Sequence, residues 1–193
     1  MTFLAYQSVD NYILYNRIMP IDNYKLIENY FNVNTNWQEA LNLLYKNSKE
    51  SQQRPDVLWF KVKNRRIFDD LPDLRDFYKK INQDFNSEFY EQCPYYDDWF
   101  SGRCRCKGMW HIDGPVISLD GSTVSPHKDV SDAAYIQILG KSFWKLDGNE
   151  TIVLNPGDLL LISNKITHEV WGEGPRMGIL SMALKPGDIK PLL

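Results

Sequence analysis

The chain is poor in histidine. Only three occur in 193 residues, His111, His127 and His168, and all lie in the second half. Any chemistry that needs an imidazole, as metal ligand or proton carrier, must draw on these three. Cysteine is as scarce. Cys93, Cys104 and Cys106 are an odd number, too few for a disulfide scaffold, and Cys104-Arg105-Cys106 lacks the two-residue spacing of zinc ribbons and redox motifs. They read as ordinary strand residues. Nowhere does the sequence approach the roughly 20 consecutive apolar residues that span a bilayer. The opening MTFLAYQSVDNYILYNR has no basic region leading into an apolar stretch and a small-residue cleavage site. The expected location is therefore cytoplasmic, away from membranes. Positive charge is not in excess either: 22 Lys and Arg against 25 Asp and Glu leave a net charge of -3. No general attraction to nucleic acid or anionic lipid follows, and nucleic acid is disfavoured as a partner.

What is present is the composition of an ordinary globular domain, with 43% hydrophobic and 24% charged residues. Residues 1–193 are expected to form a single domain, with a helical layer and supporting strands over 1–100 and a β core over 101–193. In the first part, Asn36 followed by Glu39 resembles a capping box, and Trp37, Ala40, Leu41, Leu44 and Tyr45 recur at helical spacing, which predicts a helix over about 36–47. Asp70 as cap, Pro72 in the first turn and the stripe Leu74, Phe77, Tyr78, Ile81 and Phe85 predict a second over about 71–90. Between them Val57–Val62 reads as a strand. Arg65-Arg66 and Arg103 with Arg105 read as solvated basic faces.

From about residue 100 the texture changes to short β-rich runs near 106–112, 115–119, 133–139, 142–146, 150–154, 158–163, 167–171 and 176–184. Turns such as Asp120-Gly121, Leu139-Gly140, Asp147-Gly148-Asn149 and Gly172–Pro175 separate them. Runs of this length and spacing suit an antiparallel barrel or jelly roll, with the helices packed outside it.

The chemistry sits in this half. His127-Lys128-Asp129 precedes the run 133–139, and residues two apart in extended backbone project from one face. His168 lies on another strand that could face the same interior. Two imidazoles and one carboxylate on one side of a metal leave the opposite positions open, as in non-heme Fe(II) oxygenases. His111-Ile112-Asp113 repeats the H-x-D pattern, so spacing alone does not choose between the pairs. Each residue taken singly is more simply a surface or hydrogen-bonded core group.

Wider context is more specific. Gly121-Ser-Thr-Val-Ser-Pro-His127-Lys-Asp129, followed by Tyr135-Ile-Gln-Ile-Leu-Gly140 and Trp144, resembles the first cupin motif of the JmjC-type and cupin-like Fe(II)/2-oxoglutarate oxygenases. Gly157-Asp-Leu-Leu-Leu-Ile and then His168-Glu-Val-Trp resemble the second. The resemblance covers roughly residues 105–184. It implies a cupin-type double-stranded β-helix that holds Fe(II) through His127, Asp129 and His168 and uses 2-oxoglutarate and molecular oxygen to hydroxylate a small molecule or peptide side chain. The family's co-substrate needs a cation for its distal carboxylate. The JmjC lysine position is Ser142 here, with Lys141 beside it. An Arg on the strand after the distal His, as in aspartyl and asparaginyl hydroxylases, corresponds to Arg176, which could hold a carboxylate through two hydrogen bonds. Lys141 and Lys145 come next. Tyr135 is the candidate hydroxyl donor in the same pocket. A metal-dependent cupin that does not use 2-oxoglutarate, and a non-catalytic cupin-like binding module, are the alternatives, because this fold hosts many activities. A lid would have to come from the N-terminal half or from Asp113–Pro126. Substrate and oligomeric state are not encoded in any motif.

Overall fold

The structure, a computed structural model, describes residues 23–47, 52–53, 58–59, 71–84, 110–121, 123–148 and 150–183. Among these residues, eleven strands and two helices make the fold mainly β. In chain order they are β1 (Tyr24–Ile27), α1 (Trp37–Asn47), β2 (Gln52–Gln53), β3 (Leu58–Trp59), α2 (Pro72–Asp84), β4 (Trp110–Ser118), β5 (Val124–His127), β6 (Ala133–Leu139), β7 (Ser142–Leu146), β8 (Glu150–Leu154), β9 (Leu159–Ile162), β10 (His168–Trp171) and β11 (Arg176–Ala183).

The strands form two antiparallel sheets. One has the order β1-β9-β6-β11-β4-β3-β2, the other β5-β10-β7-β8. The last eight strands pair as β4 with β11, β5 with β10, β6 with β9 and β7 with β8. That is a single long antiparallel hairpin, closed at the β7–β8 turn and wound so that its successive pairs fall alternately in the two sheets. The topology is the cupin-type double-stranded β-helix that the sequence predicts.

Strand alternation divides the core in two. On β6, Ala134, Ile136 and Ile138 turn outward to meet Leu159 and Leu161 of β9, Met177 and Ile179 of β11, and the helices. Ala133 and Tyr135 turn inward with Leu160, Ile162, Leu180 and Met182, against Trp144, Leu146, Ile152, Leu154 and Val170 of the smaller sheet. A period of two on strands buried on both faces gives near-continuous apolar sequence, as in β6 and β9.

The helical layer covers the outer face. The capping box of α1 is present in both directions: the Asn36 N–H donates to Glu39 Oε2 at 2.9 Å, and the Glu39 N–H to Asn36 Oδ1 at 3.1 Å. Helix α2 buries Leu74, Phe77, Tyr78 and Ile81, spaced for one helical face. Its Tyr78 hydroxyl donates to the Leu180 carbonyl at 3.1 Å, pinning the helix to β11. The Asp73 carboxylate accepts the N–H groups of Asn34 and Thr35 at 2.8 and 2.6 Å, fixing the chain that leads into α1.

Three expectations are amended. The runs 106–112 and 115–119 are one strand from Trp110 on, because a β-bulge absorbs the expected break: Leu180 pairs with Gly114 but Ser181 with Ile112. Part of Asp113–Pro126 is not available as a lid, since it supplies β4 and the edge strand β5, where Pro126 is tolerated. Tyr24–Ile27 is an additional strand that extends the larger sheet. Asp70, Phe85, the three cysteines, the clusters Arg65-Arg66 and Arg103 with Arg105, most of Val57–Val62 and the side chains of His111 and Asp113 lie outside the described residues.

Candidate metal centre

His127 closes β5 and His168 opens β10, and the two are register partners across adjacent strands of the smaller sheet. Asp129 lies in the crossing from β5 to β6, so its approach to His127 comes from that turn of the chain and not from strand alternation. The crossing is tied down. Asp132 Oδ1 accepts the Asn164 N–H at 2.9 Å, joining it to the β9–β10 connection that delivers His168.

The three side chains converge. Asp129 Oδ1 is 3.8 Å from His127 Nε2, and Asp129 Oδ2 is 3.6 Å from His168 Nε2. One ligand atom from each lies within 4.8 Å of the others, and they are the one such group of three among the described residues. Donor atoms about 2.1 Å from a metal and at right angles sit about 3 Å apart, so a small rotation of these side chains closes them on an ion. Both imidazoles are prepared for it. His127 Nδ1 is 2.8 Å from the Ser125 carbonyl oxygen and His168 Nδ1 is 3.3 Å from that of Ile166. A carbonyl only accepts, so each Nδ1 carries the proton and each Nε2 offers its lone pair toward Asp129.

Exposure is graded across the group, with side-chain values of 40% for His127, 20% for Asp129 and 3% for His168. The site therefore opens on the His127 side. Burial pushes the His168 imidazole below its usual range, against the attraction of Asp129. Burial also lifts the Asp129 carboxyl above the usual carboxylate range, opposed by His168 and then His127. A neutral imidazole is the form that binds a metal, and an ion would displace the proton that burial favours on Asp129.

Behind the triad the interior wall is aromatic and polar. The Trp144 ring lies 5.6 Å from that of His168 and 4.8 Å from that of Tyr135. The Tyr135 phenol packs against Gly178, where a Cβ would clash with its hydroxyl oxygen and Cζ; only glycine leaves room for it. Arg176, 2% exposed, begins β11, and its Nη1 donates to the Gly121 carbonyl at 3.3 Å. Burial lowers the Arg176 guanidinium from its ordinary range and pushes the Tyr135 phenol up to about 12, and each opposes the shift of the other. Both residues are buried, Tyr135 on β6 and Arg176 at the start of the neighbouring strand β11. Lys141 is exposed and Lys145 half-buried.

Sequence reasoning noted Ser142 only as the place where a lysine is missing. In the structure it is a junction. Its Oγ donates to Gln137 Oε1 at 2.7 Å and accepts the Trp144 indole N–H at 2.9 Å. The available signal was the alternation that turns Ser142, Trp144 and Leu146 inward together.

No family model and no curated protein matches the sequence. Solved structures similar to part of the chain include a cupin superfamily protein from Desulfitobacterium hafniense, 22% identical, with a TM-score of 0.35 over 37% of this chain and 64% of that one. The ribosomal oxygenase YcfD of Escherichia coli is 28% identical, with a TM-score of 0.35 over 40% of this chain and 24% of that one. It has also been solved with cobalt and 2-oxoglutarate. A salicylate 1,2-dioxygenase from Pseudaminobacter salicylatoxidans is 15% identical, with a TM-score of 0.33 over 35% and 19%. The chain spans less than two thirds of each of these proteins. Among the described residues, no helix is long and apolar enough to cross a membrane.

Proposed function

We propose that this protein is an Fe(II)- and 2-oxoglutarate-dependent oxygenase that hydroxylates a small molecule or a peptide side chain. The observation that carries the proposal is the convergence of His127, Asp129 and His168 with both Nε2 atoms turned inward and both Nδ1 atoms held by backbone carbonyls. Two neutral nitrogens and a carboxylate on one side of an ion leave the other side for exchangeable ligands, which favours iron and oxygen chemistry over a closed structural site. An Fe(II) ion held by His127, Asp129 and His168 would, with 2-oxoglutarate and oxygen, supply C–H hydroxylation coupled to splitting of the 2-oxo acid into succinate and carbon dioxide.

The chain's own residues bind, orient and exclude water. Asp129 supplies the negative charge that a divalent ion needs, and the two carbonyl-held imidazoles fix its direction. Trp144 walls the inner side of His168 and keeps bulk solvent from that flank. Arg176 is the buried cation of the barrel interior that would receive the distal carboxylate, an anion that could not be buried there unpaired.

Mixing the protein anaerobically with Fe(II) and 2-oxoglutarate tests this. A weak visible charge-transfer band from the chelate is expected, lost in His127→Ala and needing far more 2-oxoglutarate in Arg176→Ala. If the wild type shows neither the band nor 2-oxoglutarate binding, the proposal is wrong. A metal-bearing cupin without this co-substrate would then be the better account.

A further inference from the structure

The two histidines of the metal centre belong to a longer row. His127 on β5, His168 on β10, Leu146 on β7 and Glu150 on β8 are successive register partners across the smaller sheet. Partners directly opposite in a ladder project from one face, so Glu150 is turned toward the barrel interior with the imidazoles. The rest of β8 agrees: Ile152 and Leu154 are buried in the interior, while Thr151 and Val153 are exposed. The larger sheet carries a second inward row at the same end of the barrel, Tyr24, Ile162, Ala133 and Met182, successive partners on β1, β9, β6 and β11. The Tyr24 hydroxyl donates to Glu150 Oε2 and so joins the ends of the two rows. Among the described residues that hydroxyl is the one hydrogen-bond partner of the carboxylate, which keeps Oε1 for another donor. Glu150 is exposed and lies two strand spacings, about 10 Å, from the buried His168. Leu146, between them, is buried and apolar.

We infer that Glu150, held by Tyr24, determines substrate specificity by taking a cationic group, an ammonium or guanidinium, at the end of an aliphatic arm that runs over Leu146 to the metal. This rests on the function proposed above. A carboxylate only accepts hydrogen bonds, so the group it holds must donate, and a cation matches its charge as well. The bond from Tyr24 restrains the carboxylate beforehand, so less side-chain freedom is lost when the substrate arrives. An alkyl arm of a few carbons covers the distance from Glu150 back to the histidines, and Leu146 gives it an apolar floor. A free basic amino acid and a basic side chain of a peptide share this chemistry.

Calorimetric titration of the protein loaded with Mn(II) and 2-oxoglutarate tests this without turnover. The probes are lysine and arginine, with norleucine as their neutral counterpart, each free and as the Nα-acetyl amide. Lysine or arginine should bind about tenfold more tightly than norleucine, the low end for a hydrogen bond to a charged group because Glu150 lies near solvent. A preference confined to the free compounds identifies an amino acid as the source of the cation, and one confined to the capped compounds a peptide. The ratio of affinities is the decisive quantity, since a general disturbance of the site moves cationic and neutral probes together. In Glu150→Gln the preference should disappear, and in Glu150→Lys it should pass to the acidic counterpart 2-aminoadipate. Tyr24→Phe, which frees the carboxylate without removing it, should lose part of the preference. Equal affinities for cationic and neutral probes, no binding of any of them, or a preference that survives in Glu150→Gln overturns the inference. If the protein takes up no 2-oxoglutarate, the proposed function fails and the inference with it; if it takes up 2-oxoglutarate and shows no preference for the cation, the inference alone fails.

Discussion

His127 and His168 face each other as register partners on β5 and β10, with ring centroids 4.3 Å apart. Without an ion between them, two imidazoles at this separation cannot both be protonated cheaply, and His168 is the buried one. Its folded pKa lies below the unfolded value of 6.5. The unfolded chain therefore binds more protons as the pH falls through that value, and His168 stabilises the metal-free fold above pH 6.5 but progressively less below it. A bound ion deepens this dependence because it requires both rings neutral. Urea melts with and without Mn(II), a redox-stable substitute for Fe(II), should show metal stabilisation of about 3 kcal/mol at pH 7.5 when the ion is at 100 times its dissociation constant. At pH 5.5 and the same total metal it should be smaller, because protons compete with the ion for the ligand set. Stabilisation that does not change with pH would mean that the imidazoles are not the ligands.

Asp129 separates the two H-x-D pairs. Asp129→Ala removes the carboxylate that lies within 4 Å of both Nε2 atoms, whereas Asp113 sits on β4 in the other sheet. Metal affinity should fall at least tenfold in Asp129→Ala and stay within about threefold of wild type in Asp113→Ala, the smaller figure being the scale of indirect effects and the larger that of a lost ligand. Metal content after dialysis measures both. Full occupancy in Asp129→Ala would move the site elsewhere.

Stability has its own test far from the metal. Asp73→Ala leaves the N–H groups of Asn34 and Thr35 without their acceptor under the helical layer. Losing two hydrogen bonds to an ionised group should cost about 3–5 kcal/mol. Both N–H groups bond the same oxygen, Oδ2, so Asp73→Asn with its amide oxygen in that place keeps both bonds and should cost much less. Thermal melts check the order, and metal affinity should not follow it.

Much of this was legible in the sequence because it rests on local chemistry. The Asn36/Glu39 box, the apolar face of α2 and the strands β6–β8 are set by neighbours a few residues apart. The bulge at Asp113 was not, since it depends on how β4 pairs with β11 some 70 residues later. Strand β5 itself went unexpected, hidden by Pro126 and by an edge position that demands no apolar alternation. Within the site, His127, Asp129 and His168 carried a recognisable pattern. The junction at Ser142 did not, because the Gln137 amide that faces it is oriented by the carbonyl of Met177 on β11, far along the chain.

That closure is most exacting at Gly178. A methyl group there would come 2.0 Å from the Tyr135 oxygen and 2.1 Å from its Cζ. The ring cannot retreat, since Trp144 lies on it at 4.8 Å and Tyr135 is itself buried. Gly178→Ala should therefore destabilise the fold by about 2 kcal/mol through overpacking. Placing the change in a Tyr135→Ala background removes the clash, so the added methyl should then cost little or even fill part of the space left by the ring. The interaction between the two substitutions, read from urea melts of the four proteins, should be of the order of 2 kcal/mol. Additive costs would show that the ring and the glycine are not in contact.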